Sequence, residues 1–153
     1  MRSRVQALQQ AFERIARTRM AGLPLVNPRL AVACVGFCAE GDGAFALGVL
    51  VTPWCMNLVR LPLRDDDARP LRLGVVGARE VGGRCFDFIG AHEDGIGGFE
   101  AASLFSPMFE FVDQSAAVAT AEEALKELRG RAAPERPARR GFLFGRPHAG
   151  AAP

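Results

Sequence analysis

The sequence predicts an α+β fold, a two-layer sandwich with an N-terminal helix, about five mostly antiparallel strands and a C-terminal helix. Three observations support this prediction. Apolar residues recur at helical spacing near both ends of residues 1–130. Short runs rich in Val and Phe fill the middle of the chain. The connections between these runs are short, which favours antiparallel pairing. We expect the two helices to cover one face of the sheet.

The N-terminal helix is predicted over residues 3–20, where the apolar positions at helical spacing are Val5, Leu8, Phe12, Ile15 and Met20. Glycine and proline at 22, 24 and 28 end it. The C-terminal helix is predicted from about Ser115 to Arg129. Its apolar face consists of Val118, Ala121, Leu125 and Leu128. Gly130 closes this helix.

The strands follow from short apolar runs bounded by turn residues. The five predicted strands are Leu30 to Cys38, Phe45 to Val51, Cys55 to Leu61, Leu71 to Val76 and Arg84 to Ile89. Turn signals stand at residues 40–43 and at Gly82-Gly83. Residues 95–98 are predicted to form a flexible loop, and Phe99 to Phe105 a short helix that ends before Pro107.

Residues 1–130 are predicted to form a single domain, and residues 131–153 a disordered tail rich in Arg, Ala, Pro and Gly without periodicity. From Arg129 to the end the chain has six Arg and one Glu. That part is therefore strongly basic, while residues 1–128 carry a net negative charge. Body and tail, or body and a basic partner, are expected to attract each other.

The sequence offers little for catalysis. Of two histidines, His148 lies in the predicted tail, and His92 is best interpreted as an exposed loop residue. The four cysteines form no CxxC pair, so we expect reduced thiols. Cys34 and Cys38 are expected to face the same side of a strand, which supplies at most half of a zinc site. We predict no enzyme, no cofactor and no metal.

The N-terminal segment has charges throughout and lacks the apolar core of a signal peptide. No apolar run approaches the roughly 20 residues that a membrane-spanning helix needs. We expect a cytoplasmic protein without stable membrane insertion.

Two segments, 52–58 and 103–111, are unusually apolar for loops or sheet edges. Neither helical nor strand periodicity places all their side chains on one core face, so we expect an exposed patch that binds a partner. The predicted partner-binding residues are Trp54, Met56, Asn57, Leu58, Phe105, Met108, Phe109, Glu110 and Asp113. Packing in the core is the alternative, and Phe109 and Phe111 are equally compatible with either.

Several strings carry a family resemblance: RMAGLP at 19–24, NP at 27–28, LGVLVTPW at 47–54, MNL at 56–58, SLFSPMFEF at 103–111 and DQ at 113–114. Across residues 12–129 the chain resembles the nickel–iron hydrogenase assembly chaperones called HybE, HupJ or HoxT. Some of these relatives appear fused to a rubredoxin. This chain, which lacks CxxC pairs, resembles the short, iron-free form.

The resemblance implies a maturation chaperone that binds the precursor of a hydrogenase subunit. The expected client is the iron–sulfur small subunit with its twin-arginine signal peptide, whose export is held back until assembly is complete. The large subunit and other maturation proteins are further possible partners. Protection or completion of the small subunit's iron–sulfur clusters is an alternative role. The resemblance supplies no catalytic residues.

The tail contains a second motif, in which Arg139 and Arg140 are followed, after one glycine, by Phe142 and Leu143. This order is similar to the core of a twin-arginine signal. Our hypothesis is that the tail imitates the client's signal. It either occupies the chaperone's own groove until the client displaces it, or engages a partner that reads such signals. The alternative is an Arg-rich tail that only aids solubility.

Two other classes of protein fit less well. A redox or metal protein that uses the four cysteines is disfavoured by their spacing. A nucleic-acid-binding module is disfavoured by the acidic body and by the lack of interleaved basic and aromatic residues, so we expect no nucleic-acid partner.

Overall fold

A computed structural model of the chain describes residues 1–64 and 69–130. In chain order the elements are α1 (Arg2–Arg17), β1 (Ala33–Ala39), β2 (Phe45–Val51), β3 (Met56–Pro62), β4 (Val76–Val81), β5 (Arg84–Glu93), β6 (Gly97–Phe105) and α2 (Gln114–Gly130). The six strands form one sheet in the order β1-β2-β3-β6-β5-β4, and all paired neighbours are antiparallel. This architecture confirms the α+β class: one helix precedes and one helix follows the strands of an antiparallel sheet in the chain.

The two helices lie on opposite faces of the sheet. Leu8 and Ala11 of α1 share a buried cluster with Leu50 of β2. Leu125 of α2 belongs to a second buried cluster with Val49, which is the residue next to Leu50 in β2. Successive side chains of a strand point to opposite faces, so these clusters are on different sides of the sheet. The expectation that both helices cover one face was wrong, and the sheet is a middle layer between them.

One predicted element has the wrong type and another is displaced. The segment predicted as a short helix at Phe99 to Phe105 belongs to strand β6, which lies between β3 and β5. The strand predicted at Leu71 to Val76 begins only at Val76, and Leu73 forms an isolated bridge with Gly90. The turn at Gly82-Gly83 is confirmed between β4 and β5. Within residues 1–64 and 69–130 the sheet therefore has six strands, where about five were expected.

Strand β1 contains a bulge that changes where its cysteines point. Cys34 pairs with Leu50, but Cys38 pairs with Leu47, so one extra residue is inserted between them. Gly36 takes up this insertion with a φ of +66°, a conformation that favours glycine. Because Leu50 and Leu47 face opposite sides, the two thiols do too. The expectation that Cys34 and Cys38 share a side was wrong.

Neither helix of the described part of the chain is both long and apolar enough to span a bilayer. The predicted tail, including Arg139, Arg140, Phe142 and Leu143, lies outside the described residues.

Candidate functional site

Three loops meet at one end of the sheet, and a buried asparagine joins them. Asn27, only 3% exposed, lies in the α1–β1 connection. Its main-chain N–H donates to the carbonyl oxygen of Pro53 at 2.9 Å. Its side-chain Nδ2 donates to the carbonyl oxygens of Met108 and Phe111, both at 3.0 Å. We call the loops at residues 22–30, 52–55 and 106–113 the loop end of the sheet.

The loop at 52–55 is a tight turn held by Thr52. The Thr52 hydroxyl oxygen accepts hydrogen bonds from the main-chain N–H groups of Trp54 at 3.1 Å and Cys55 at 2.9 Å. The main-chain N–H of Thr52 donates to the carbonyl oxygen of Cys55 at 2.8 Å. These bonds fix the backbone that carries Trp54, whose side chain is partly exposed.

The loop at 106–113 alternates between buried anchors and exposed side chains. Met108 is fully buried, and Phe111 packs edge-to-face on Phe105 with ring centroids 5.3 Å apart. Phe109, between the two anchors, is 51% exposed. Because both anchors are also tied to Asn27 through their carbonyl oxygens, the exposed Phe109 ring is carried on a fixed backbone.

The two acidic residues of this loop have different roles. Glu110 is exposed. Asp113 is also exposed, but its Oδ1 accepts a hydrogen bond from the main-chain N–H of Ala116 at 2.8 Å. This bond makes Asp113 the N-cap of α2. Its first role is therefore to begin the helix, whether or not it also contacts a partner.

The loop end exposes more apolar side chains than the sequence analysis predicted. In addition to Phe109, they are Leu23 at 42%, Leu25 at 54% and Val112 at 67% exposure. Leu23, Leu25 and Val112 were missed. For the two leucines, the available signal was the placement of large apolar residues between Gly22 and Pro28, in a segment too broken by proline to form a helix or strand.

Several residues that were predicted to form the binding surface lie in the core. Met56, Leu58 and Met108 are fully buried, in the cluster that faces α2. Expecting their side chains to be exposed was wrong. Asn57 pairs with Leu50 and is partly exposed on the α1 face of the sheet, away from Phe105. Trp54, Phe109, Glu110 and Asp113 are the predicted residues that present exposed surface at the loop end.

A buried charge cluster lies on the α2 face of the sheet. Glu100 of β6 is fully buried, and its carboxylate accepts hydrogen bonds from Arg60, from Arg79 and from the main-chain N–H of Leu71. Burial by itself would raise the pKa of Glu100, but the hydrogen bonds from Arg79, Leu71 and Arg60 and the charge of Arg60 outweigh it. The net effect holds the pKa below its ordinary value, so Glu100 is an ionised structural anchor.

Arg60 also serves as an anchor within this cluster. It donates to Glu40 at 3.0 Å, and its guanidinium lies 4.0 Å above the ring of Phe45. These contacts satisfy the cluster internally and bind segment 69–75 to the sheet through Leu71.

Cys34 and Cys55 have environments that disfavour the reactive thiolate. Burial, followed by the charge of Glu13, raises the pKa of Cys34 to about 12. Burial also raises the pKa of Cys55, partly offset by hydrogen bonds with Thr52 and Asn57. Within residues 1–64 and 69–130, no group of three or more His, Cys, Asp or Glu side chains is arranged to hold a metal ion.

Comparison with known families gives a match along most of the chain. The sequence model of the family described as "NiFe-hydrogenase assembly, chaperone, HybE" matches residues 3–145. The similarity therefore includes both helices, all six strands and part of the tail.

Individual relatives agree with this match. Protein HoxT of Cupriavidus necator is 46% identical, over 94% of this chain and 89% of its own length. Hydrogenase expression/formation protein HupT of Azotobacter chroococcum mcd 1 is 40% identical, over 93% of this chain and 95% of its own length. Probable rubredoxin HupJ of Rhodobacter capsulatus is 39% identical, but the matched region spans only 45% of that longer protein.

Among solved structures, the solution structure of HybE from Escherichia coli superposes with a TM-score of 0.65, covering 94% of this chain and 90% of that one. The sequence identity is 23%, so this likeness shows a shared fold.

Proposed function

Because the chain belongs to the HybE family of nickel–iron hydrogenase assembly chaperones, we propose that it binds the precursor of the iron–sulfur small subunit. The bound region includes the twin-arginine signal peptide, and binding delays export until the subunits are assembled. The protein acts in the cytoplasm, in a stoichiometric complex and without turnover. The large subunit and other maturation proteins are transient partners of the same complex.

The observation that carries this proposal is the exposed apolar surface of the loop end. Leu25, Phe109 and Val112 are each more than half exposed, on loops joined by Asn27. Isolated exposed apolar residues are ordinary, but a group of them on connected, fixed loops is typical of a binding surface. Such a surface suits the apolar segment of a signal peptide.

Charge at the loop end suits the arginines of the same peptide. Glu110 directly follows the exposed Phe109 ring, and Asp113 lies three residues further on. Arginine pairs well with carboxylates because its planar guanidinium offers two parallel donors. A peptide with two arginines before an apolar run therefore finds both kinds of contact on one loop.

The single Trp provides a direct assay, since Trp54 lies on one of the three loops. A synthetic signal peptide of a small subunit, designed without Trp, is titrated into the full chain while tryptophan emission is followed. We expect a blue shift that saturates at one peptide per chain. The variant L25S/F109S is expected to bind at least tenfold more weakly, because two exposed apolar contacts contribute about 1 kcal/mol or more each.

The matched control is V76S/I89S, which removes two exposed apolar side chains from the β4–β5 part of the sheet. It is expected to bind the peptide like the unaltered protein. Equal affinity of L25S/F109S and the unaltered chain would overturn the role of the loop end. A second experiment isolates the tagged chain from cells that are blocked in hydrogenase maturation. If no unprocessed small subunit is recovered with it, the small-subunit precursor is not the client.

A further inference from the structure

The two edges of the sheet differ in how they are protected. Edge strands expose unpaired main-chain groups, and proteins usually guard them with charged residues or proline. The edge strand β4 carries Arg79 and Glu80. The other edge strand, β1, has the sequence ACVGFCA, with no charge and no proline. β1 is therefore the edge that is chemically suited to accept another extended segment.

A groove runs beside this edge, between β1 and α1. Its volume is about 540 Å³. Its apolar lining comes from Val5, Cys34 and Phe37, and its polar lining includes Gln6, Gln10 and Glu13. A groove with an apolar floor and amide groups along its side is suited to an extended peptide, whose main chain hydrogen-bonds while alternate side chains are buried.

One main-chain group of the β1 edge is held by a side chain. The N–H of Cys34 donates to Oε1 of Gln9 on α1 at 3.2 Å. Nε2 of Gln9 donates in turn to Glu13 at 3.1 Å. The Gln9 oxygen thus takes the place that a carbonyl of an added strand would occupy. A rotation of one side chain releases the Cys34 N–H for such a strand.

The chain itself supplies a segment that starts nearby. At the end of α2, Nη2 of Arg129 donates to the carbonyl oxygens of Gly36 at 2.8 Å and Leu47 at 3.0 Å. The helix therefore ends beside β1, and 23 residues follow Gly130. The nine residues from Gly130 to Arg139 reach up to about 30 Å. The seven residues of β1 span about 23 Å, so the segment after Arg139 reaches any part of the groove.

We propose that segment 139–144 of the same chain adds to the β1 edge and occupies the α1–β1 groove. In an extended segment Phe142 and Phe144 point to one side, towards the apolar floor. Arg139 and Arg140 then have Glu13 as their acidic partner. The overall charge agrees, since the chain from Arg129 on is basic and the rest is acidic. The groove thus has an internal ligand.

This inference is independent of the proposed function. The groove residues belong to α1 and β1, whereas the proposed client surface consists of the loops at 22–30, 52–55 and 106–113. Loss of one site leaves the other intact, and the two tests use different variants.

The test compares full-length proteins by NMR, following the amide shifts of Val5, Cys34 and Phe37 and the hydrogen exchange of the Cys34 amide. The tail variant F142S/L143S removes two of the three large apolar residues of segment 139–144, including Phe142, one of the two rings that the proposal places towards the apolar floor. The matched control, H148S/A149S, changes two tail residues beyond it. A third variant, Q10K/E13K, alters the groove on α1 while leaving the tail unchanged.

We expect F142S/L143S and Q10K/E13K to shift the groove resonances and to speed exchange at Cys34 by about tenfold. H148S/A149S is expected to match the unaltered protein. A synthetic peptide of residues 137–146, added to F142S/L143S, is expected to restore the original groove resonances, whereas a scrambled peptide is not.

Identical groove resonances in F142S/L143S and the unaltered chain would overturn the proposal. So would changes confined to residues outside the groove. Protection of Cys34 by a hydrogenase signal peptide but not by the 137–146 peptide would assign the groove to a client and also overturn it.

Discussion

Arg79 on β4 donates from Nε and Nη2 to both carboxylate oxygens of Glu100 on β6, at 3.1 and 2.8 Å, across the intervening strand β5. Glu100 is fully buried, while Arg79 remains partly exposed. This bidentate pair connects the edge strand to the centre of the sheet. Because an isolated buried charge is costly, each partner depends on the other.

Substitution of Glu100 by glutamine is expected to lower the free energy of unfolding by about 3 kcal/mol or more, because it leaves Arg79 without its anion and Arg60 with only Glu40. Urea denaturation measures the change. Glu80→Gln, on the exposed side of β4, is the control and is expected to have little effect. An E100Q protein as stable as the E80Q protein would show that the ion pairs contribute nothing net.

The same carboxylate gives the stability a defined pH dependence. The pKa of Glu100 is lowered in the folded protein from its usual value of 4.5. Its contribution is therefore present above pH 4.5 and is lost as the pH falls through the lower, folded value. Urea midpoints at pH 7, 4.5 and 3 are expected to show a gap between the unaltered protein and E100Q that narrows in acid. A constant gap would contradict this assignment.

Asn27→Ala removes the two hydrogen bonds to the loop at 106–113 and leaves the carbonyl oxygens of Met108 and Phe111 without these donors. We expect a loss of about 2–3 kcal/mol in the free energy of unfolding and faster amide exchange in residues 106–113. Asn27→Asp keeps the oxygen that accepts from the Arg29 N–H but loses the donor. Both variants should therefore release the loop, and unchanged exchange in both would show that Asn27 is not the link.

Asp113→Ala and Glu110→Ala separate helix capping from client binding. Loss of the N-cap is expected to cost about 1 kcal/mol of stability, whereas Glu110→Ala is expected to leave stability unchanged. If carboxylates at the loop end pair with the client's arginines, Glu110→Ala weakens peptide binding, and more so at low salt. Thermal unfolding and the Trp54 titration measure the two effects. Equal stability of the two variants would argue against the capping role.

Cys34 is expected to react slowly with iodoacetamide at pH 8, because its pKa of about 12 leaves very little thiolate. Cys38, which has an exposed side chain, is expected to be labelled first. Peptide mass spectrometry after timed labelling gives both rates. Labelling of Cys34 before Cys38 in the native protein would contradict the buried placement of its thiol.

The sequence predicted those elements whose signal is local. Both helices have long runs of correctly spaced apolar residues. β2 was predicted with its observed bounds because Phe45, Leu47 and Val49 alternate with the small residues Ala46 and Gly48 in an apolar run that Thr52-Pro53 ends. β6 was missed because Glu100, Ala101 and Ala102 favour a helix locally. The partners that make it a strand, Arg60 and Arg79, are 40 and 21 residues away, and tertiary pairing overrides local preference.

The candidate site was predicted only in part, because its local signals do not show which side chains the rest of the fold covers. The segments at 52–58 and 103–111 do lie at one end of the sheet, but local apolarity did not tell anchors from exposed residues. Met56 and Met108 are buried in one cluster with α2 residues such as Leu125, and the carbonyl oxygen of Met108 also accepts a hydrogen bond from Asn27, 81 residues away in the sequence. Leu25 is exposed because proline on either side of its short segment excludes regular structure. Only the fold reveals which side of each residue is covered.

The attachment of three loops to one asparagine has a consequence for how the family can diversify. The conformational entropy of these loops is already lost when the chain folds, so a ligand does not have to order them. Under the proposed function, new client preferences would then arise by exchanging side chains at the loop tips, such as Leu25 and Phe109, over an unchanged backbone. Discrimination between clients would be a matter of surface chemistry, separate from the evolution of the core.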